Sequence, residues 1–233
     1  MFQVVVALAA LAALLALWPE IPRWSGDGTR ALGHEPLSPL ATRLPPVTPG
    51  TLVVCQGDSN VRGKPAVAMP FCAELARLAG LHLELRGHGG DTTAEGAARW
   101  ATASNAEAPP ALVILLYGSN DAAPRAWLGR RRPVPLAEFR AALAHLAAAH
   151  AARGTDVLIL APPPAGSPAM ERRLQPYRLA AREAAAEAHC AFLDPAPAFV
   201  TADTQPALRR DALHLNQRGH HALGQWLARQ LAR

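Results

Sequence analysis

Three short stretches of the chain carry side chains able to do chemistry together. They are Gly57-Asp58-Ser59-Asn60, Gly118-Ser119-Asn120-Asp121 and Asp211-Ala212-Leu213-His214. A fourth, RGHGGDTT from Arg86 to Thr93, adds paired glycines with free amides. A serine hydroxyl is a poor nucleophile until a histidine takes its proton. That histidine needs an acid to hold its tautomer and stabilise the imidazolium. A tetrahedral intermediate needs donors aimed at its oxyanion. The inventory therefore fits acyl transfer, with Ser59 as nucleophile, His214 as base and Asp211 orienting it. Asp211 and His214 stand three residues apart and can enter one site from a single turn. The amides of Ser59 and Gly90 and the side chain of Asn120 are the candidate oxyanion donors. Each stretch alone also reads as ordinary turn chemistry, and Asp211 could simply cap a helix. No Gly-x-Ser-x-Gly elbow occurs, which argues against an α/β-hydrolase.

Short apolar runs alternate with alanine-rich stretches along the chain. The runs predict strands at Leu52–Cys55, Leu81–Leu85, Leu112–Leu116, Val157–Leu160 and Ala191–Leu193. Helices are predicted at Ala68–Ala79, Thr93–Trp100, Leu136–Arg153, Met170–Ala188 and Gln217–Leu231. Continuous apolar strands separated by helices imply an α/β fold whose parallel sheet is covered on both faces. Ligands of such sheets sit outside the carboxyl ends of the strands. The chemistry-bearing stretches follow the first, second and third strands and the last, so they converge on one edge.

The four stretches, in this order, resemble the four blocks of the SGNH (GDSL-type) serine hydrolase family. Gly57-Asp58-Ser59, Gly90 followed by Asp91-Thr92, Gly118-Ser119-Asn120-Asp121 and Asp211-Ala212-Leu213-His214 stand in register with its Ser, Gly, Asn and His. The leucine usual after the serine is replaced by Asn60, a departure expected to leave the mechanism untouched. The resemblance covers Thr51 to about Arg233. It implies a three-layer α/β/α sandwich with a flavodoxin-like sheet of about five parallel strands. It also implies carboxylic ester or thioester hydrolysis with no metal and no organic cofactor. GGDTTAEGAARW is most similar to the bacterial thioesterase, lysophospholipase and arylesterase branch. Two other readings stay open. An O-acyltransferase or deacetylase on envelope polysaccharide or lipid would share the first half-reaction, and a non-catalytic binding module would share only the fold.

Other residues take supporting places. Asp58 is expected to bond loop amides behind Ser59, and Asp121 to fix the turn presenting Asn120. His88 reads as an exposed loop histidine. A metal cluster would want ligands on one face with acidic or thiolate partners, whereas the glycine-flanked pair His220 and His221 sits on a terminal helix and is not read as a metal site. The prolines Pro162 to Pro164 should shape one wall of the site. Trp127 and Arg125, in the loop after the third block, are candidates for acyl or headgroup contact.

The rest of the chain bounds location. Phe2 to Trp18 is almost wholly apolar and uncharged over seventeen residues, near the lower limit for a bilayer span. Residues 1–20 are read as a membrane anchor, or else as a cleaved signal segment. Residues 21–50 are read as a tether, since five prolines fall in sixteen residues from Glu35 to Gly50. The hydrolase domain is then 51–233. The domain is expected on the outer side of the membrane, although Arg23 and Arg30 argue weakly for the inner. The net charge is +5 with Lys64 the single lysine, and no basic stripe interleaved with aromatics suggests nucleic acid. The expected partner is an ester substrate, whether small molecule, lipid or acylated sugar. Cysteines number three, with no CxxC; Cys55 and Cys190 read as small buried hydrophobes and a disulfide framework is not expected.

Overall fold

The computed structural model describes residues 29–40, 47–103, 109–123 and 132–232. The elements are, in order, β1 (Leu52–Gly57), α1 (Ser59–Arg62), α2 (Phe71–Ala79), β2 (His82–Gly87), α3 (Thr93–Ala103) and β3 (Leu112–Leu116). Then come α4 (Ser119–Ala122), α5 (Leu136–Ala151), β4 (Asp156–Leu160), α6 (Pro168–Glu187), β5 (Ala191–Leu193) and α7 (Gln217–Leu231). The five strands form one sheet in the order β2-β1-β3-β4-β5, and every pairing is parallel. This is the flavodoxin-like order expected.

Alternation along the strands divides the core into two layers. Val53, Cys55, Leu112, Ile114 and Leu116 face α2 and α7, where Phe71, Leu75, Leu223 and Leu227 meet them. Val54, Val113, Leu115, Val157 and Ile159 face the other way, onto Phe139 and Leu143 of α5 and Leu174 of α6. β3 is buried along its whole length, as a central parallel strand must be, while the edge strand β2 is partly exposed.

Two expectations fail. Cys55 and Cys72 are joined in a disulfide, with Cα atoms 6.5 Å apart, and Cys190 is the free, buried cysteine. Cys55 within β1 and Cys72 in the first turn of α2 meet because α2 packs on this face of the sheet. The bond closes a loop that contains the Ser59 turn. Cys72→Ala should lower the free energy of unfolding by roughly 3 kcal/mol. Thermal melts with and without reductant check this. The wild-type midpoint should fall with reductant while the variant's stays put, and a variant as stable as the oxidised wild type would refute the prediction.

The second correction concerns the tether. The Pro-rich segment holds neither helix nor strand among its described residues, but Thr29–Leu40 is docked, so the folded unit begins well before Thr51. Leu208 N–H donates to Thr29 O, Leu32 N–H to Ala165 O, and Ala31 N–H to Gln205 Oε1. His34 fastens this strap. Its Nε2 lies 3.0 Å from Asp194 Oδ2 and its Nδ1 3.1 Å from Glu171 Oε1, itself bonded to the buried Arg178. Burial pulls the His34 pKa down and Arg178 adds to this, yet the bonds to Asp194 and Glu171 outweigh both and the net direction is up from 6.5. Burial acts to raise Asp194 and Glu171, but their partners hold both below the ordinary carboxylate range.

The signs give a window. The histidine's contribution is complete below its unfolded pKa and is lost as pH rises through the raised one. The carboxylates' contributions are lost as pH falls through their depressed values. His34→Ala should therefore lower the melting temperature more at about pH 5.5 than at about pH 9. An equal loss at both would mean that the ring's charge does not fasten the strap.

The apolar segment Phe2–Trp18 lies outside the described residues. Among those described, no helix is long and apolar enough to cross a membrane.

Candidate active site

β1 ends where it must turn sharply. A Cβ on Gly57 would lie 2.2 Å from Leu116 O, so only glycine lets the strand tip come this close to β3. Asp58 then caps α1, its Oδ1 accepting Asn60 N–H at 2.7 Å, which is the structural part expected of it. Burial pushes the Asp58 carboxyl up to about 7, against the pull of that amide. Ser59 is the first residue of the helix, so its amide has no acceptor within the helix.

Ser59 Oγ lies 2.8 Å from His214 Nε2, and His214 Nδ1 lies 2.8 Å from Asp211 Oδ2. With the carboxylate accepting at Nδ1–H, Nε2 is left to accept the serine proton. Asp211 Oδ1 also accepts the amides of Leu213 and His214. Burial alone would raise Asp211, but these bonds and the histidine hold it down at about 2. The turn that permits this places Ala212 at φ +58°, a left-handed conformation that costs an alanine about 1 kcal/mol or more. Gly166 N–H donates to Ala212 O, and Arg209 N–H to His214 O, which holds the base loop closed.

The candidate oxyanion donors Gly90 and Asn120 come from the segments after β2 and β3. Gly90 lies in the loop after β2 at φ +89°, which suits a glycine. Asn120, on α4, donates through Nδ2 to Asp91 O at 3.0 Å. The Asp91 carboxylate is gripped by Arg99, Nε to Oδ2 at 2.7 Å and Nη2 to Oδ1 at 3.1 Å. Asp121 reaches further than its own turn. Its Oδ1 accepts Thr93 N–H at 3.1 Å and its Oδ2 the Thr93 hydroxyl at 3.3 Å, which locks the third block to the second. Burial pushes Asp121 up to about 6, against these bonds. Thr92 and Glu95 form a reciprocal capping box that starts α3 directly after this loop.

Ser59, His214, Asp211, Gly90 and Asn120 thus share one edge of the sheet. Trp127 and Arg125 lie outside the described residues. His88 is exposed, on a cavity of about 260 Å³ that Gln56, Arg99 and Trp100 also line. His220 is a core residue: its Nδ1 accepts Phe71 N–H at 3.2 Å and starts α2, and burial, with His214 nearby, lowers it to about 4. His221 pairs with Glu74 at 3.0 Å. Among the described residues, no three His, Cys, Asp or Glu side chains gather as a metal site. Sequence reasoning passed over two contacts. Arg99 anchors the second block, and the Asn60 side chain reaches across to the base loop, where its Oδ1 accepts Leu215 N–H at 3.1 Å.

Residues 55–222 match the family model of the GDSL-like lipase/acylhydrolase family. No curated protein matches the chain. Among solved structures, Axe2, an acetylxylan esterase from Geobacillus stearothermophilus, superposes with a TM-score of 0.67 at 22% identity, over 80% of this chain and 96% of that one. LAE5, an α/β hydrolase enzyme from the metagenome of Lake Arreo, Spain, gives 0.66 at 23% identity, over 80% and 98%. Both likenesses are of fold. With the family model spanning well over half its length, the chain belongs to the GDSL-like lipase/acylhydrolase family and is a carboxylic ester hydrolase.

Proposed function

We propose that this hydrolase works through an acyl-enzyme on Ser59, with His214 as general base and acid and Asp211 as its orienting carboxylate. The observation that carries the reading is the unbroken hydrogen-bond chain from Ser59 Oγ through His214 to Asp211, both links at 2.8 Å. His214 Nε2 takes the hydroxyl proton as Oγ attacks the ester carbonyl. The oxyanion is met by the amides of Ser59 and Gly90 and by Asn120 Nδ2. Collapse expels the alcohol, which leaves with the proton from His214. Water, deprotonated by the same nitrogen, then attacks the acyl-serine, and the carboxylic acid departs as Oγ recovers its proton. No step calls for a metal or cofactor.

Acetyl esters of carbohydrate are the first substrate class to try, because fold neighbours include an acetylxylan esterase. We place the chain at the cell envelope, attached by the apolar segment Phe2–Trp18. The Cys55–Cys72 disulfide supports the outer side, since such bonds persist in oxidising compartments. The test is labelling of the full chain with a fluorophosphonate, followed by mass spectrometry. An adduct on Ser59 supports the acyl-enzyme route. A folded chain with no adduct, or with one elsewhere, removes it.

A further inference from the structure

Asn60 stands directly after the nucleophile and is 1% exposed. Its backbone amide completes the Asp58 cap, which fixes the residue at the start of α1. Its side chain then does something the cap does not require. Oδ1 accepts the amide N–H of Leu215 at 3.1 Å, and Leu215 follows His214. The base loop has other anchors, but they face elsewhere. Arg209 N–H to His214 O and the Leu208–Leu215 bridge close the loop on itself. Gly166 N–H to Ala212 O ties it to the segment after β4. Just past the loop, the Gln217 side chain accepts the amides of Ala68 and Met69 and donates to Met69 O, which ties the start of α7 to the segment between α1 and α2 but does not reach α1 itself. The Asn60 bond joins the base loop to α1, beside the Ser59–His214 contact.

We propose that Asn60 is a positioning residue for the base, holding His214 Nε2 at hydrogen-bond distance from Ser59 Oγ through the Leu215 amide. The proposal rests on the serine-esterase reading above and adds a residue to it. Without the acceptor, a buried amide is left unpaired, which is costly enough for the loop to move toward water. A shift of about 1 Å in a catalytic group can cost about 10²-fold in rate. A leucine at this position fills a similar volume and offers no acceptor. The asparagine is thus a second tie between nucleophile and base rather than a neutral replacement.

The test compares three variants of the full chain. Asn60→Leu keeps the shape and removes the acceptor. Asn60→Ala removes it without bulk, should leucine not fold. Asn60→Asp keeps an oxygen for Leu215 in either protonation state. With a short-chain aryl ester, the leucine and alanine variants should lose about 10- to 100-fold in kcat with KM within about twofold. Fluorophosphonate labelling of Ser59 should slow by the same factor, and Asn60→Asp should keep most of both. If leucine and alanine leave kcat within about twofold of wild type, whatever their melting temperatures, the role is structural and the proposal fails. It fails also if aspartate loses as much as leucine. An unlabelled wild type would instead overturn the serine reading itself, and this one with it.

Discussion

Ser59→Ala leaves a folded chain whose ester turnover is lower by at least about 10³-fold. The fold survives because the turn does not depend on the hydroxyl. Asp58 supplies the cap of α1, Gly57 permits the close approach to Leu116, and the Ser59 side chain is used on His214. The thermal midpoint should therefore stay within a few degrees of wild type. The chemistry does not survive, because among the described residues the hydroxyl bonded to His214 Nε2 is that of Ser59, and alanine offers nothing to take the acyl group in its place. Residual activity would come from water activated by His214 beside intact oxyanion donors. Steady-state rates with an acetyl aryl ester, read beside a melting curve, decide the matter. A variant that retains turnover within about tenfold would transfer the nucleophile's role to another residue.

Asn120→Ala comes next in size, with kcat lower by about 10²–10³ and KM changed little. The side-chain amide has two N–H groups. One is spent on Asp91 O at 3.0 Å, which fixes the plane of the amide. The other is left to meet charge that develops only as the carbonyl becomes tetrahedral. A donor used in this way is worth far more to the transition state than to the bound ester, so its removal falls on kcat. Asp121 and Thr93 keep the third block in place without it. Asn120→Asp should be no better than alanine, since a carboxylate faces the oxyanion with like charge. Kinetics for both variants check this. A rise in KM at unchanged kcat would move Asn120 from the oxyanion hole to substrate binding.

The fold could be read because its signals are local, and so could the sheet edge at which the candidate site residues gather. β3 is an unbroken apolar run, apolar runs make up most of β1 and β4, and α7 is bounded as its pattern implies. Ser59, Gly90, Asn120 and the Asp211–His214 pair each sit just after a strand or in the closing loop, where a parallel sheet gathers them. What escaped depends on partners distant in sequence. Nothing in a separation of 17 residues says that Cys55 and Cys72 meet; that follows from how α2 lies on the sheet. That residues 29–40 form neither helix nor strand suits Pro36 and Pro39, but their docking depends on Glu171 and Asp194, supplied by α6 and the residue after β5. Asn60 meets a backbone amide, and an amide carries no side-chain signature to search for.

The docked strap alters reach. A leash from the end of the apolar segment to Gly50 could extend ~110 Å at about 3.4 Å per residue. With Thr29 already bonded to Leu208, a leash between Phe2–Trp18 and the fold comes down to residues 19–28, and ten residues extend at most ~35 Å. The volume that a tethered active site can sweep scales with the cube of that length, so it shrinks roughly thirtyfold. The chain also enters the fold beside the base loop, which puts the fixed end of the leash close to the catalytic edge. An enzyme held by Phe2–Trp18 would therefore graze the first layer above a bilayer rather than patrol the space beyond it.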